Sequence, residues 1–237
     1  IVKHFGSPEM RAEVLPLLAQ PGNLAAFAIS EPNAGSDPSS VRTRAEPVDG
    51  GYRLHGSKMW VTNGITGRWF VVLARLTGGA RGGHVSGEPH GVRAGSMREV
   101  CMFLMDANQP EVKRLPIHGK MGIRGSETAE MSLEGAFARS EHLLGKLGDG
   151  LRVALSALDG GRIGIASQAL GIGHAALDLM TAYAQTREQF GRPIGDFQAI
   201  QWAIADTATE LAAAQALVDR AARCKDCGLC AGAKMRV

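Results

Sequence analysis

Hydrophobic positions are spaced differently in three successive parts of the chain. In the first part, up to Asn23, apolar residues recur at helical intervals. These residues are Met10, Val14, Leu17 and Leu18. Pro8 stands where a helix can begin, and Pro21 and Gly22 follow where it must end. This part therefore predicts one amphipathic helix, which is too little to form a domain.

From Leu24 to about Leu144 the pattern changes to short apolar or alternating runs separated by Gly, Pro and Asn. The predicted strands are Tyr52 to Thr62, Trp69 to Leu76, Val100 to Met105, Val112 to His118 and Ala129 to Phe137. Strands at this spacing predict a small β-barrel or sandwich.

After Gly150 the hydrophobic period becomes helical again. One predicted face contains Leu151, Ala154, Leu155, Leu158, Ile165, Ala169, Ile172, Ala176, Leu179 and Tyr183. A second helix is predicted after Pro193, with Ile200, Ile204, Leu211, Ala214, Val218 and Ala221 on its apolar face. We expect the two helices to pack antiparallel, and the small residues on their faces allow close contacts within or between subunits. The whole chain is thus predicted to be α+β.

Composition excludes several classes of function. The chain has 237 residues, of which 45% are hydrophobic and 21% charged, as in ordinary soluble proteins. A net charge of +3 is too small to indicate nucleic-acid binding. No uninterrupted apolar run approaches the length of a membrane span, so none is expected. No secretory leader opens the chain, although a leader before Ile1 is left open.

Cysteine and histidine residues do not predict a metal site. Cys224, Cys227 and Cys230 have a ferredoxin-like spacing, but only the distant Cys101 remains as a fourth ligand. We interpret them as reduced cysteines near a helix end.

A Gly-rich insertion lies between Thr77 and Met97, and we expect it to be a mobile surface loop. Its His84 and His90 have no acidic or cysteine neighbours, so solvation is a better interpretation than metal binding.

Two segments have the composition of a ligand site. The first is Phe27 to Asp37, FAISEPNAGSD, where small and polar residues turn the backbone out of extended structure. Ser30 and Ser36 offer hydroxyls, and Gly35 allows a ligand to approach the main chain. Exposed amides in such a loop suit an anionic or heteroaromatic group. The alternative is an ordinary surface turn.

The second segment is KMWVTNG, from Lys58 to Gly64. Period-two alternation predicts a strand with Trp60 and Thr62 on one face, followed by an Asn-Gly turn. An aromatic ring and a hydroxyl two residues apart can contact the same ligand. The alternative is a tryptophan buried in the core.

Together these segments resemble the flavin-binding middle domain of the acyl-CoA dehydrogenase family. Three further motifs follow in family order: KMGIRGS from Lys120, LDGGRIGIA from Leu158 and REQFG from Arg187. The resemblance covers nearly the whole chain. It implies the end of an N-terminal helical domain over residues 1–26, a middle β-barrel domain over 27–144 and the first part of a truncated C-terminal helical bundle over 145–237.

The resemblance also implies FAD as cofactor and assigns residues to it. The implied cofactor residues are Phe27, Ile29, Ser30, Gly35, Ser36, Trp60, Val61, Thr62, Arg187, Phe190 and Gln198. In the family, the aromatic ring lies against the isoalloxazine and the threonine hydroxyl reaches toward its reactive nitrogen. Arg187 resembles the arginine that reaches the FAD pyrophosphate of a neighbouring subunit, although a solvated helix-end arginine is the alternative.

For the substrate, the resemblance assigns Ser36, Asp159 and Arg162 to an acyl-CoA thioester and its adenosine end. An intrahelical ion pair between Asp159 and Arg162 is compatible with that role. Two adjacent helical glycines, Gly160 and Gly161, favour a nearby ligand, because each costs roughly 1 kcal/mol relative to alanine.

No catalytic base can be named. Most family members carry the base, a glutamate, on a segment beyond the position of Val237, and one branch carries it at the position of Gly161, which has no side chain. We therefore expect the chain by itself to be inactive.

The implied function is FAD-dependent α,β-dehydrogenation of an acyl-CoA in fatty-acid or branched-chain amino-acid catabolism. The alternatives are an acyl-CoA or nitroalkane oxidase of the same fold, and a non-catalytic scaffold that binds flavin or acyl-CoA. The expected partners are acyl-CoA, electron-transfer flavoprotein as electron acceptor and three further copies in a homotetramer. The expected location is the bacterial cytoplasm or the mitochondrial matrix.

Overall fold

A computed structural model describes residues 1–77 and 99–226 of the chain. Its helices are α1 Val2–Phe5, α2 Pro8–Leu18, α3 Gly150–Thr186 and α4 Gln198–Asp226. Its strands are β1 Ala25–Ala28, β2 Arg44–Val48, β3 Gly51–Thr62, β4 Trp69–Leu76, β5 Val100–Asp106, β6 Val112–Pro116, β7 Thr128–Arg139, β8 Glu188–Gln189 and β9 Arg192–Pro193. Apart from Thr77, the predicted loop with His84 and His90 lies outside the described residues, as do Cys227 and Cys230.

Two compact units divide the chain, Ile1–Ala157 and Leu158–Val237, and the division falls within α3. The three-part domain division expected from the sequence stays a prediction.

The first unit is built on a mixed, curled seven-stranded sheet. β4 pairs in parallel with β1 and with the start of β2, and antiparallel with β5. From β2 the sheet continues antiparallel through β3 and β7 to β6. This arrangement of a curled sheet with flanking helices confirms the predicted α+β class.

Strands β4 and β5 are buried on both faces, which explains why their sequences are continuous apolar runs. Phe70, Val72 and Phe103 face the cluster inside the curl. Val71 and Leu104 face a second cluster on the other side of the sheet. The two faces thus hold two separate hydrophobic cores.

Helix α2 packs against the sheet and contributes to the second cluster. The Ser7 hydroxyl accepts a hydrogen bond from the Met10 amide at 3.1 Å, and Pro8 occupies the first turn. Met10 and Val14 are buried in the cluster, as the predicted amphipathic face requires. The predicted helix is therefore confirmed.

The five predicted strands are confirmed, and five of their ten ends are shifted by one or two residues. β1 and β2 had no strand prediction. β1 has only four residues, and β2, RAEPV, contains a proline and little alternation. Both are strands because they pair with β4 and β3, which is a tertiary effect.

In the second unit, α4 buries the face that the sequence predicts. Ile200, Ile204, Leu211, Ala214, Val218 and Ala221 are all buried or half-buried. Gly173 of α3 lies against Leu211, whose Cδ2 would stand 2.6 Å from a Cβ at position 173. Because a connection of only eleven residues joins the helices, this contact requires the predicted antiparallel packing.

For α3 the predicted face is wrong from Ile165 onward, although Leu158 on the same predicted face is half-buried. Ile165, Ala169, Ile172, Ala176, Leu179 and Tyr183 are exposed. The buried or half-buried stripe is instead Ile163, Ala166, Leu170, Gly173, Leu177, Met180 and Ala184. The physical reason is that α3 carries two apolar stripes side by side, and only one of them can face α4.

By length and composition alone, α3 could cross a membrane. A single helix of this kind is weak support for a span, because core helices of soluble proteins have the same properties. The expectation that the chain has no membrane span stays a prediction.

Candidate functional site

The structure brings the two predicted ligand segments together. The Met59 amide of β3 donates a hydrogen bond to the Ser30 carbonyl oxygen at 2.9 Å. The Lys58 ammonium donates to the Ile29 carbonyl oxygen at 3.3 Å. The loop from Phe27 to Asp37 therefore lies directly beside the strand that carries Trp60 and Thr62.

A buried ion pair lies beneath this junction. The side chains of Lys58 and Glu31 are almost completely buried, and Lys58 Nζ lies 2.8 Å from Glu31 Oε1. Lys58 Nζ also donates to the Leu73 carbonyl oxygen of β4 at 2.6 Å. Burial lowers the pKa of Lys58 to about 8, an effect that the Glu31 carboxylate partly offsets.

Both oxygens of Glu31 accept hydrogen bonds. Oε2 accepts from the Arg42 amide at 2.7 Å, and Oε1 accepts from the Thr43 amide at 3.0 Å and hydroxyl at 2.5 Å. Burial raises the pKa of Glu31, but the Lys58 charge and these donors outweigh it, so the pKa lies below its ordinary value. Glu31 is therefore a structural carboxylate, unavailable for proton removal from a substrate.

Trp60 stands at a β-bulge. Between Lys58 and Val61, β3 has one residue more than β7, and Trp60 takes a left-handed φ of 59°. Its side chain is 60% exposed. The alternative of a tryptophan buried in the core is therefore wrong. A bulky residue in a left-handed conformation is strained, and such strain is concentrated at functional sites.

The two residues after Trp60 differ in orientation. The Val61 side chain is fully buried in the cluster inside the curl, so only its main chain can contact a ligand. Thr62 is exposed, as is Trp60, in agreement with the predicted shared face. The bulge shifts the alternation of β3, so that Lys58 is buried whereas Trp60 and Thr62, which would share its face in a regular strand, are exposed.

In the loop, the predicted residues fall into two groups. Phe27 and Ile29 are half-buried and pack against the second cluster. Gly35 and Ser36 are exposed, and Ser30 is half-buried. The loop thus has an apolar base and a polar, accessible tip.

The motif that begins at Lys120 forms a loop beside the end of β3. Lys120 Nζ donates to the Ile123 carbonyl oxygen at 3.0 Å, to the Ser126 carbonyl oxygen and to Thr128 Oγ at 2.9 Å. Thr128 is the cross-strand partner of Thr62. Lys120 therefore anchors its own loop next to the predicted flavin-facing strand end.

The predicted Asn-Gly turn is confirmed and is tied to its surroundings. Asn63 has a φ of 59°, its side-chain amide donates to the Ala25 carbonyl oxygen at 3.1 Å, and its main-chain amide donates to the Glu127 carbonyl oxygen. The Glu127 carboxylate accepts from the Ile65 and Thr66 amides at 2.6 and 3.1 Å. These contacts hold the end of β3 in one position.

In the second unit, Arg162 and Asp159 form the predicted intrahelical ion pair, with a nitrogen to oxygen distance of 2.5 Å. Both side chains are exposed. Nothing in the described residues lies within 4 Å of a Cβ built on Gly161. This turn of α3 is therefore accessible to a ligand.

Arg187 and Phe190 lie on the connection between α3 and α4, and Gln198 is the first residue of α4. The Arg187 amide bonds to Tyr183 and its carbonyl oxygen accepts from Ile194, so its main chain is anchored. Within residues 1–77 and 99–226 its guanidinium has no hydrogen bond or ion pair. Phe190 is 93% exposed with a φ of 54°. These exposed side chains are available to a ligand or a partner.

No group of three metal-binding side chains occurs in the part of the chain that the structure describes. The expectation of no metal stays a prediction, because Cys227 and Cys230 lie outside that part.

Sequence reasoning missed the role of Lys58 and Glu31. Both stand inside the two motifs, but nothing in the spacing of one motif shows that its charge pairs with the other. The available signal was one lysine in KMWVTNG and one glutamate in FAISEPNAGSD, each flanked on both sides by at least four uncharged residues.

Two family profiles match the chain. One described as acyl-CoA dehydrogenase, middle domain, matches residues 26–136, and one described as acyl-CoA dehydrogenase, C-terminal domain, matches residues 148–237.

Curated relatives agree with the profiles. The acryloyl-CoA reductase (NADH) of Anaerotignum propionicum is 39% identical, and the match covers 94% of this chain and 54% of the relative. The mitochondrial isovaleryl-CoA dehydrogenase of Oryza sativa is 38% identical, over 96% of this chain and 51% of the relative. The chain therefore spans about half the length of these curated relatives.

Solved structures share the fold. A glutaryl-CoA dehydrogenase from Mycobacterium smegmatis in complex with FADH2 has a TM-score of 0.81 and 31% identity, over 95% of this chain and 53% of that chain. A chain from a study of the electron transferring flavoprotein of Acidaminococcus fermentans and flavin-based electron bifurcation has a TM-score of 0.84 and 37% identity, over 96% and 56%.

Proposed function

Because the chain belongs to the acyl-CoA dehydrogenase family, we propose that it is the flavin-binding part of an enzyme that dehydrogenates an acyl-CoA between its α and β carbons. The observation that carries the proposal is the exposed Trp60 at its bulge, beside the accessible tip of the loop from Phe27 to Asp37.

The residues present fit FAD. Trp60 offers an exposed aromatic face for a flat ring, and Thr62 offers a hydroxyl on the same side of β3. Gly35 and Ser36 leave the loop tip open to close approach. FAD, when bound, supplies the two-electron acceptor for the hydride that leaves the β carbon. The protein's part is to orient the ring and to exclude water from it.

Arg187 is suited to the pyrophosphate of FAD. Its guanidinium is a planar, permanently charged fork that binds phosphate oxygens at two points. It has no competing partner in the described residues, and its main chain is anchored. Phe190 stands on the same connection and Gln198 begins α4. Both would complete that contact, in a neighbouring subunit as the resemblance implies.

For the substrate, we assign Ser36, Asp159 and Arg162 to the acyl-CoA. All three are exposed, and the ion pair between Asp159 and Arg162 holds both side chains in one orientation. We name no base for the α-proton among the matched residues. Glu31 is held in its buried ion pair, Asp159 is paired with Arg162, and Gly161 has no side chain.

Electron-transfer flavoprotein is the electron acceptor that we propose. Support comes from the similar chain in the study of that flavoprotein from Acidaminococcus fermentans. We also propose that the full-length protein is a homotetramer. We propose that it is located in the bacterial cytoplasm or the mitochondrial matrix.

The test is anaerobic mixing of the flavin-loaded, full-length protein with short, medium and branched acyl-CoAs. We expect at least one of them to bleach the oxidised flavin at about 1 per second or faster. A protein that binds FAD but is bleached by no acyl-CoA would instead be a scaffold.

An oxidase of the same fold is the second candidate. Mixing the reduced protein with dioxygen distinguishes an oxidase from a dehydrogenase, because the flavin of an oxidase is reoxidised within its turnover time whereas that of a dehydrogenase is not.

A further inference from the structure

The most unusual group in the first unit is the ammonium of Lys58. It is fully buried, and its three protons are used by three acceptors on two segments: Ile29 O and Glu31 Oε1 of the loop, and Leu73 O of β4. Lys58 itself belongs to β3. One ammonium therefore joins the loop, β3 and β4.

Glu31 extends this junction to the start of β2. Its carboxylate accepts from the main chain of Arg42 and from Thr43, which stand just before β2 at Arg44. The side chains of Lys58 and Glu31 are buried, and so is Thr43. The pair thus joins the first half of the loop to β3, to β4 and to the segment that enters β2.

Fold stability alone does not explain such a pair. Removing two charges from water costs about as much as their attraction returns, and apolar replacements are often equally stable. What apolar side chains cannot supply is direction, because an ammonium with three fixed acceptors determines the distance between the segments that carry them.

The segments in question are those of the candidate flavin site. Lys58 is two residues from Trp60, at the start of the bulge, and Glu31 follows Ser30, whose carbonyl oxygen accepts from the Met59 amide. A change in the distance between Lys58 and Glu31 must therefore move the loop relative to the Trp60 ring.

We propose that the buried pair Lys58–Glu31 is a positioning element, which holds the loop from Phe27 to Asp37 at the spacing from Trp60 that an isoalloxazine ring requires. The inference rests on the proposed flavin site. Neither residue touches the flavin, so neither is catalytic; each acts through Ser30 and Met59.

The experiment compares Glu31→Gln and Lys58→Met with a matched control in the full-length protein. Glu31→Gln keeps the size of the side chain and can still accept from Thr43. Phe103→Leu is the control, because Phe103 is buried in the cluster inside the curl and lies on β5, which pairs with β4 and contributes no hydrogen bond to Lys58 or Glu31. Each variant is measured for thermal midpoint, FAD dissociation constant and visible flavin spectrum.

The expected result is a specific effect on flavin. Both pair variants should bind FAD roughly tenfold or more weakly and shift the flavin absorption band, because a small misplacement of a site has a large effect. Phe103→Leu should lower the thermal midpoint but leave the dissociation constant and the spectrum at their parental values.

Hydrogen exchange supplies a readout that does not need FAD. In the flavin-free protein, Glu31→Gln should raise the exchange rate of the Met59 amide, while amides of β4 and β5 stay as protected as in the parent. If both single variants fail to fold, the double variant Glu31→Leu with Lys58→Met restores an uncharged core and should fold but bind FAD weakly.

The outcomes separate the two hypotheses. Failure of the parental protein to bind FAD would overturn both. Parental FAD binding, together with pair variants whose flavin affinity and spectrum match those of the parent, would overturn the positioning role and leave the proposed function intact. Equal loss of affinity in Phe103→Leu would also overturn it, because the effect would then follow from stability alone.

Discussion

At the scale of single residues, Trp60 shows how the site departs from regular structure. Its left-handed backbone is strained for a bulky residue, and its exposed ring gains little from burial. The bulge before Val61 accommodates that backbone within the sheet. Such a cost is expected where a ligand compensates for it.

We therefore predict that Trp60→Ala and Thr62→Ala change the flavin spectrum and slow flavin reduction, with little effect on unfolding. The reason is that both side chains are exposed and contribute little to the core. Stopped-flow reduction of the full-length protein measures this. Trp202→Ala is the control, since Trp202 is 63% exposed and Trp60 is 60% exposed. Reduction at the parental rate in both site variants would refute the assignment.

The free energy of unfolding at acid pH should depend on the ionisation of Glu31. The folded pKa of Glu31 lies below its ordinary value of 4.5. Its stabilisation is thus present above that pH and is lost as the pH falls through the folded pKa. Lys58, with a pKa of about 8, stays charged throughout this range. We expect Glu31→Gln to lower the free energy of unfolding by about 3 kcal/mol at pH 6, less below pH about 4.

Urea unfolding at a series of pH values measures this difference. Glu46→Gln is the control, because Glu46 is half exposed and its ion pairs should contribute within about 0.5 kcal/mol at any pH. A Glu31→Gln difference that stays constant from pH 6 to pH 3 would contradict the prediction.

At the scale of elements, the packing of α3 against α4 depends on one glycine. A Cβ at position 173 would stand 2.6 Å from Leu211 Cδ2, whereas a Cβ at position 171 has no neighbour within 4 Å. Gly173→Val should therefore destabilise the helix pair by about 1–3 kcal/mol through overpacking. Gly171→Val is the matched control, with the same residue types on the same helix.

Thermal unfolding followed by circular dichroism measures the two variants, and Leu211→Ala tests the cause. If the clash with Leu211 is responsible, adding Leu211→Ala to Gly173→Val should recover part of the lost stability. Equal effects of valine at positions 171 and 173 would show that backbone propensity, and not packing, determines the result.

At the scale of the whole molecule, the exposed guanidinium of Arg187 predicts assembly. Because the resemblance places this arginine on the FAD of a neighbouring subunit, we expect the full-length protein to be a homotetramer. Arg187→Ala should weaken FAD binding and leave the tetramer assembled. Analytical ultracentrifugation measures both forms, and a flavin-saturated monomer would contradict the expectation.

The chain by itself should not dehydrogenate acyl-CoA even with FAD bound. Of the carboxylates in the matched motifs, Glu31 is buried in its ion pair and Asp159 is bound to Arg162. Anaerobic mixing with acyl-CoAs measures flavin bleaching, and a rate near 1 per second would show a base that we have not recognised.

Gly161 offers the converse experiment. A side chain there meets nothing within 4 Å in the described residues, so Gly161→Glu should be accommodated. In a full-length variant without its own base, this substitution should restore bleaching if position 161 faces the substrate. Gly171→Glu is the control, because position 171 is equally open but lies about 15 Å further along the axis of α3.

The sequence by itself determined the elements whose patterns are strong and local. β4 and β5 were predictable because strands buried on both faces have unbroken apolar runs. The face of α4 was predictable because it has a single apolar stripe. Ordered motifs identified the family, and with it the candidate flavin loop and strand.

Only the tertiary structure decided what depends on partners distant in sequence. Which of two apolar stripes of α3 is buried depends on the position of Leu211 in α4, and local periodicity cannot contain that information. The same holds for Lys58 and Glu31. Their charges are visible in the sequence, but the two residues are 27 positions apart. They pair because the folded sheet excludes water from both side chains, and a buried charge needs a partner of opposite sign.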